Sequence, residues 1–300
     1  MPHRRVGSLK RPLTVLLSAL LLWIAWDTVR PRQPPHQAEW LQADDVQLRV
    51  VRAGHGDTTL LLLHGYGESL MSYRSIFDLL ATRYTVIAVD LPGLALSGKP
   101  DGSYDLASYQ RRLGAFLARW TQGPVVVVGH SMGGELAAAL ALDHPERVVA
   151  VVLMSPAGAG LSSLVDQAKA IHSDARGWLA AIMSTALPPH DPAWLGEPAD
   201  KADYSPATDP AYRNAATRIL RDFDFEALKD SFALIRQPVL LIWGREDPTI
   251  PIAIGDSIAA ELPCRRYVPL DGVLHRPHQT NPDTVLAEME SFLAHPACQR

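Results

Sequence analysis

A serine held between glycines is the strongest chemical signal in this 300-residue chain. Residues Gly129–Gly133 read Gly-His-Ser-Met-Gly, between the apolar run Val125–Val128 and the helix-favouring stretch Glu135–Leu142. This context predicts a sharp turn from a buried strand to a helix, where small neighbours are needed because strand and helix approach closely. The turn exposes the Ser131 hydroxyl at a helix N-terminus, whose free N–H groups stabilise negative charge. We therefore interpret Ser131 as a nucleophile.

The later sequence contains the two groups that activate a serine hydroxyl. Such a hydroxyl needs a base to remove its proton and a carboxylate to orient that base. Asp247 follows the buried run Leu240–Trp243, and His275 follows the last predicted strand, which includes Tyr267. The order serine, aspartate, histidine is the one expected after a turn of this kind. Asp247 is the predicted acid and His275 the predicted base.

Each of these two roles has an alternative candidate nearby. Glu246 is the alternative acid, and Asp247 is preferred because Pro248 fixes the turn that follows it. His278 is the alternative base, and His275 is preferred because it lies nearer the strand end. An ordinary position in a surface loop is the other interpretation of either histidine.

Acyl transfer also requires two N–H donors for the oxyanion that forms on the substrate. The backbone N–H of Met132, directly after the nucleophile, is one candidate. The predicted strand Thr59–Leu63 is followed by His-Gly-Tyr-Gly, whose glycines allow backbone amides to turn inward. The Tyr66 N–H is the second candidate, and an ordinary glycine-rich turn is the alternative.

Short apolar runs alternate with helix-forming stretches from residue 45 onward. Continuous apolarity is typical of parallel strands that helices cover on both faces, whereas the alternating run Val46–Val50 predicts an antiparallel strand. Together they predict an α/β fold with a doubly wound parallel sheet. Predicted strands include 60–63, 86–89, 125–128, 148–153 and 239–243, and predicted helices are 72–81, 104–120, 132–142, 252–262 and 282–293.

The interval 157–236 interrupts this alternation. It contains the helical stretches Ala168–Ala186 and Tyr212–Leu228 and proline-rich loops, without a convincing strand. This pattern predicts a mostly helical cap after the sixth strand, so the core comprises residues 40–156 and 237–300. A surface decoration without a functional role is the alternative.

The N-terminus predicts a membrane segment. Lys10 and Arg11 precede the apolar stretch Leu13–Trp26, which as a helix is about 21 Å long against a hydrocarbon core of ~30 Å. Snorkelling lysine and arginine side chains compensate for part of that difference. No convincing cleavage site precedes the proline-rich linker 31–39. Residues 1–30 are therefore predicted to be a retained signal anchor, with the catalytic domain on the non-cytoplasmic side; secretion after cleavage is the alternative.

Charge and cysteine content exclude other classes of protein. The net charge is −4 and the pI about 6.2, with no basic run, so no nucleic-acid partner is predicted. Neither Cys264 nor Cys298 has a histidine or a second cysteine at the spacing typical of metal ligands, so no metal site is predicted.

Five motifs in sequence order resemble the α/β-hydrolase superfamily over roughly residues 40–293. The resemblance implies an eight-stranded, mostly parallel sheet with flanking helices. With the basic anchor included, the chain is similar to membrane-anchored lipases: bacterial phospholipase A and lysophospholipase-like enzymes, and the monoacylglycerol lipases of animals. One departure is Ala95, where the loop usually has a second glycine. The motifs are His64–Gly67, Asp90–Gly93 with Ser97, Gly129–Gly134, Gly244–Asp247 and Gly272–His275.

The resemblance also places the two cysteines. In this fold the last strand starts at the sheet edge to which the final helix returns, so Cys264 and Cys298 could form a disulfide. A disulfide would suit an exported domain. Two unrelated buried thiols are the alternative.

The predicted activity is hydrolysis of a carboxylic ester through an acyl-enzyme. An apolar cap and a membrane tether favour a lipid-derived acyl substrate, and no cofactor or metal is predicted. Halide removal and epoxide opening in this superfamily use an aspartate nucleophile, so Ser131 disfavours both. The alternatives are a C–C bond hydrolase, a cofactor-free perhydrolase with the same three residues, and a non-catalytic hydrolase-like binding module.

Overall fold

An eight-stranded sheet organises the computed structural model, which describes residues 36–161, 192–195 and 209–296. The strand order is β1-β2-β4-β3-β5-β6-β7-β8. Strand β2 is antiparallel to β1 and β4, and all other neighbours are parallel. The predicted eight-stranded, mostly parallel sheet is confirmed. The strands are β1 (Ala38–Ala43), β2 (Val46–Ala53), β3 (Thr59–Leu63), β4 (Thr85–Val89), β5 (Val125–His130), β6 (Val148–Met154), β7 (Val239–Gly244) and β8 (Arg265–Leu270).

Helices connect the parallel strands, as the sequence predicted. The first of them is preceded by one turn of 3-10 helix, Leu70–Tyr73, whose last two residues the sequence had assigned to the predicted helix 72–81. The described α-helices are α1 (Arg74–Ala81), α2 (Leu106–Trp120), α3 (Met132–Asp143), α4 (Pro192–Leu195), α5 (Pro210–Asp222), α6 (Ile252–Glu261), α7 (Pro277–Thr280) and α8 (Pro282–Ala294).

Both faces of the central strands are buried against helices. Every residue of β5 is buried. Val125 and Val127 belong to a core cluster that includes residues of α2, α3 and α5, while Val126 and Val128 belong to a second cluster with residues of α1 and α8. Successive side chains of a strand point to opposite faces, so a strand covered on both sides has to be apolar throughout.

Strand β1 is a difference from the sequence prediction. It begins at Ala38, inside the range 31–39 assigned to the linker, and pairs with β2 through a turn at Asp44. Trp40 on this edge strand is 47% exposed, and only two of its six residues are buried. A half-exposed edge strand has a weak apolar pattern, and its pairing with β2 is what identifies it.

The predicted cap is described in part. Helix α5 confirms a helix in the stretch Tyr212–Leu228, although it begins at Pro210, ends at Asp222 and is followed by turns. The stretch Ala168–Ala186 lies outside the described residues.

The predicted anchor, residues 1–30, also lies outside the described residues. Within the described ranges, no helix has the length and apolarity to cross a membrane. Cys264 is disulfide-bonded in the structure, whereas Cys298 lies outside the described residues. The anchor and the pairing of these two cysteines therefore stay predictions.

Candidate active site

Ser131 occupies a strained turn between β5 and α3. Its backbone angles are φ 53° and ψ −121°, a conformation that non-glycine residues rarely adopt. A Cβ on Gly129 would overlap the carbonyl oxygen of Gly133, and a Cβ on Gly133 would overlap that of Leu63. The glycines are therefore needed for the close approach of helix to strand that the sequence predicted.

His275 and Asp247, the predicted base and acid, are hydrogen-bonded. His275 Nδ1 donates to Asp247 Oδ2 over 2.7 Å. The other carboxylate oxygen, Oδ1, accepts the backbone N–H groups of Thr249 at 2.8 Å and Ile250 at 2.9 Å. These bonds fix the carboxylate, and His275 Nε2 has no hydrogen bond among the described residues.

Burial and the hydrogen bond between the two side chains shift the pKa values of Asp247 and His275 in opposite directions. Burial raises the pKa of Asp247, but the hydrogen bond and charge of His275 and the two backbone donors outweigh it, so the pKa lies below its ordinary value. Burial lowers the pKa of His275, the Asp247 hydrogen bond raises it and the charge of His130 lowers it, with a net decrease. Asp247 is therefore ionised and His275 neutral at neutral pH.

The alternative acid and base have different partners. Glu246 Oε2 accepts the backbone N–H of Val273 over 3.1 Å, so it braces the loop that leads to His275. His278 is buried in α7, with its Nε2 2.8 Å from Ser72 Oγ. The structure therefore pairs Asp247 with His275, whereas Glu246 and His278 contact other groups nearby.

Three loops meet at the carboxyl edge of the sheet. His130, the last residue of β5, donates from Nε2 to the carbonyl oxygen of His275 over 2.8 Å, and their rings lie 4.8 Å apart. A Cβ added to Gly65 would lie 3.2 Å from the Cβ of Ser131. The predicted nucleophile, base and oxyanion loop are therefore neighbours.

Two backbone amides at this point are available to a ligand. Among the described residues, the N–H groups of Tyr66 and Met132 donate to no hydrogen bond. His64 connects the loop after β3 to the loop after β4. Its Nδ1 donates to Gly65 O over 2.8 Å, and its Nε2 accepts the N–H of Leu91 over 2.9 Å. The Tyr66 and Met132 amides are those predicted as oxyanion donors, and that role stays a prediction.

Ala95 departs from the glycine usual at its position and has a φ of 43°. Lys99 Nζ donates to its carbonyl oxygen over 2.9 Å. The left-handed conformation explains why glycine is usual there, since only glycine adopts it without steric cost.

The side chain of Tyr66 connects the loop after β3 to helix α5, which lies in the predicted cap. Its hydroxyl donates to the carbonyl oxygen of Ala216 in α5 over 3.0 Å. Tyr212, Ala216 and Ile219 of α5 are buried apolar residues of the same core cluster, against which Tyr66 packs. The apolar face of helix α5 therefore lies beside the predicted oxyanion loop.

Removing this hydroxyl should weaken the contact between helix α5 and the loop after β3. Tyr66→Phe is expected to lower the free energy of unfolding by about 1 kcal/mol, because one part-buried hydrogen bond is lost. Urea unfolding followed by tryptophan fluorescence measures it. Tyr84→Phe is the matched control, since Tyr84 is half-buried and its hydroxyl has no hydrogen bond among the described residues. Equal stabilities of the two variants would contradict the assigned contact.

Sequence reasoning missed two buried residues at this site. Glu68 and His130 are 3% and 1% exposed, and they contact each other at 3.1 Å between Oε2 and Nδ1. Glu68 stands in a polar loop, where an acidic residue ordinarily faces water, so its composition gave no signal. His130 is one of the two variable residues of the serine motif, and its position before Ser131 was the available signal.

Comparison with known proteins agrees with this geometry. Residues 58–282 match the family described as alpha/beta hydrolase fold. The chain belongs to this family. It is therefore a hydrolase of this fold. The chain is 29% identical over 253 residues to a pimeloyl-[acyl-carrier protein] methyl ester esterase of Edwardsiella ictaluri, and the alignment covers 80% of this chain and 94% of that protein.

The chain is also similar to a hydrolase with a different named substrate and to a solved structure of the same fold. The chain is 29% identical to a 2-hydroxy-6-oxo-6-(2'-aminophenyl)hexa-2,4-dienoic acid hydrolase of Metapseudomonas resinovorans, over 71% of this chain and 76% of that protein. A solved membrane phospholipase A superposes with a TM-score of 0.72 and 24% identity, covering 95% of this chain and 97% of that one. The latter similarity shows the fold.

Proposed function

We propose that this hydrolase cleaves carboxylic esters through an acyl-enzyme, with Ser131 as nucleophile. His275 removes the Ser131 proton and returns it to the leaving alcohol, and Asp247 orients the imidazole. The backbone N–H groups of Tyr66 and Met132 hold the negative charge on the former carbonyl oxygen. A water molecule, deprotonated by His275, then releases the acid and restores the serine.

The observation that carries this proposal is the 2.7 Å hydrogen bond between His275 Nδ1 and Asp247 Oδ2. It places the proton of the neutral imidazole on Nδ1, so the lone pair is on Nε2, where a general base needs it. A non-catalytic binding module would have no need of an oriented base beside a strained serine turn.

A lipid-derived acyl group is the substrate class that the surroundings support. The described cap helix α5 presents buried apolar residues beside Tyr66, the predicted oxyanion residue. Apolar pockets suit acyl chains, and we propose that the apolar face of α5 borders such a pocket. The similarity to a methyl ester esterase supports ester cleavage, and the likeness to a membrane phospholipase A concerns the fold.

Covalent labelling tests the nucleophile directly. A fluorophosphonate reacts with an activated serine, so the native protein should be labelled and the heat-unfolded protein should not. Peptide mass spectrometry is expected to locate the adduct on Ser131. An unlabelled native protein would favour the binding module and overturn the proposed function.

Ester turnover tests the reaction and the acyl preference. With p-nitrophenyl esters from acetate to palmitate, we expect turnover, with kcat/KM increasing with chain length until the apolar site is filled. A labelled protein that hydrolyses none of these esters would overturn the ester proposal.

C–C bond cleavage is a second candidate because one relative is named for a hydrolase of a 2-hydroxy-6-oxo-hexadienoic acid. The same three residues could serve it. A labelled protein that consumes a 2-hydroxy-6-oxo-dienoate and spares the esters would favour this candidate.

The pH dependence should reflect the buried base. His275 acts only when neutral, and its pKa is lowered from the ordinary 6.5, chiefly by burial. We therefore expect kcat/KM to stay high below pH 6.5 and to fall as the pH decreases through the lowered pKa. This decrease, the acid limb of the pH profile, is measured as kcat/KM against pH with an ester that has no ionisable group. A limb centred above 6.5 would contradict the assignment.

A further inference from the structure

A buried polar cluster lies behind the proposed base, outside the groups that the mechanism uses. It consists of Glu68 after β3, Ser72 in the 3-10 turn, His130 at the end of β5, and Arg276 and His278 after His275. The Glu68, His130 and His278 side chains are almost fully buried, so a polar atom in the cluster is costly to leave without a partner within the protein.

One carboxylate contacts all three loops of the site. Glu68 Oε2 accepts the Gly65 N–H at 3.0 Å and the Ser72 hydroxyl at 2.8 Å, and it lies 3.1 Å from His130 Nδ1. Its Oε1 accepts Arg276 Nε at 2.8 Å. Glu68 therefore connects the oxyanion loop, the serine turn and the loop that carries the base.

Hydrogen-bond partners determine the charge of His130. Its Nε2 faces the carbonyl oxygen of His275 at 2.8 Å, and a carbonyl can only accept, so Nε2 carries a proton. Its Nδ1 faces Glu68 Oε2 at 3.1 Å. Burial raises the pKa of Glu68, but the charge and hydrogen bond of His130 and the charge of Arg276 outweigh it and hold this pKa well below its ordinary range. Because Glu68 also accepts hydrogen bonds from the Gly65 N–H, the Ser72 hydroxyl and Arg276, it is a carboxylate, and Nδ1 of His130 donates to it. Both ring nitrogens of His130 therefore face acceptors and carry protons, which makes the ring an imidazolium.

The same reasoning makes His278 neutral. The Ser72 hydroxyl gives its proton to Glu68 and accepts from Gln279 Nε2 at 2.8 Å, so His278 Nε2 must donate to it. His278 Nδ1 is buried without a hydrogen-bond partner among the described residues. Burial and the nearby charge of His130 lower the pKa of His278 well below its usual range. The positive charge belongs to His130 and Arg276.

We propose that Glu68 and His130 form a buried carboxylate–imidazolium pair that positions His275 and makes it a weaker base. The inference rests on the proposed function. The His130 N–H holds the main chain of His275, and the His130 charge, with rings 4.8 Å apart, disfavours a second imidazolium at His275. Glu68 and His130 are positioning residues, because neither is assigned a contact with the substrate.

The charges that face His275 come from several elements. Asp247, after β7, and Glu68 favour its protonation, whereas His130 opposes it and has a larger effect than Glu68. Arg276 and the neutral His278 follow it in its own loop. Removing the His130 charge while Glu68 and Arg276 remain should therefore raise the pKa of His275.

Two isosteric substitutions separate the charge from the contact. In His130→Gln the side-chain amide lies near the position of Nε2 and can still donate to the His275 carbonyl, whereas in His130→Asn it lies near Nδ1 and faces Glu68. Both variants are neutral. His55→Gln is the matched control, because His55 is exposed in the loop between β2 and β3.

The readout is the rate of fluorophosphonate labelling as a function of pH, which needs no ester substrate. Both His130 variants should shift the acid limb upward by about one pH unit. His130→Asn should also lower the maximal rate by about tenfold, while His130→Gln keeps most of it, because misplacement of a base is costly. His55→Gln should match the wild type. A merely structural role would lower the melting temperature without moving the limb.

A second variant tests the carboxylate. Glu68→Gln puts an amide N–H₂ against the N–H of Gly65, the Ser72 hydroxyl or His130, so the maximal labelling rate should fall by about tenfold or more. Should this variant fail to fold, the two His130 variants decide the question.

Several results would overturn the proposal. One is an acid limb of the labelling rate that stays at the wild-type pH in both His130 variants. Another is an equal maximal labelling rate in His130→Gln and His130→Asn. A third is a stoichiometric metal ion in the purified protein, because ligand atoms of Glu68, His130 and His278 lie within 4.8 Å of one another and a bound cation would replace the imidazolium. A labelled protein without ester turnover overturns the ester proposal alone; an unlabelled wild type overturns both.

Discussion

Replacing Ser131 with alanine is expected to lower kcat for ester hydrolysis by a factor on the order of 10⁶ and to abolish fluorophosphonate labelling. Without the hydroxyl there is no acyl-enzyme, and His275 has no proton to remove from the turn. The residual rate should come from the amides of Tyr66 and Met132, which can still polarise a bound ester. Initial rates with a p-nitrophenyl ester measure the loss.

Ser155→Ala is the matched control for this substitution. Ser155 is also buried, also has a positive φ of 42°, and follows β6, the strand next to β5. Its hydroxyl has no hydrogen-bond partner among the described residues, and the mechanism gives it no role. We expect activity close to that of the wild type. Equal losses in the two variants would mean that the substitution perturbs the sheet edge rather than the chemistry.

Replacing Asp247 with asparagine is expected to lower kcat by a factor of about 10⁴, with little change in the fold. The position of Oδ1 accepts two backbone N–H groups, from Thr249 and Ile250, so the amide oxygen of the new side chain is held there. Its N–H₂ group then faces His275 Nδ1, which has to accept. The ring proton moves to Nε2, and the base can no longer take the serine proton.

Glu246→Gln is the control for the acid. Glu246 accepts only the Val273 N–H among its described contacts, and a glutamine oxygen can accept it as well. We expect this variant to keep most of the activity. Steady-state kinetics and circular dichroism on both variants complete the test. A larger loss for Glu246→Gln than for Asp247→Asn would reverse the assignment of the acid.

The strength of local patterns explains how much of the fold could be predicted. Continuous apolarity in 125–128 and 239–243 predicted buried parallel strands because the physical requirement, burial of both faces, acts on each residue of the strand. Strand β1 has no such requirement on its exposed face, and only its pairing with β2 reveals it.

The choice among candidate site residues required contacts that no local pattern encodes. Asp247 and Glu246 are adjacent and chemically alike, and the sequence separated them only through Pro248. The structure gives them different partners, His275 for one and the Val273 N–H for the other. In the same way, His275 and His278 are three residues apart, but the helical turn α7 directs His278 into the buried polar cluster.

By itself the sequence determined the strand-to-helix turn at Ser131, the order of the candidate nucleophile, acid and base, and the alternation that builds the sheet. These depend on backbone sterics and side-chain periodicity over a few residues. The tertiary structure decided the partner of each ionisable group and the existence of the Glu68–His130 pair. Arg276 reaches Glu68 across 208 residues and His275 reaches His130 across 145, and such contacts arise only when distant strands end at one edge of a sheet.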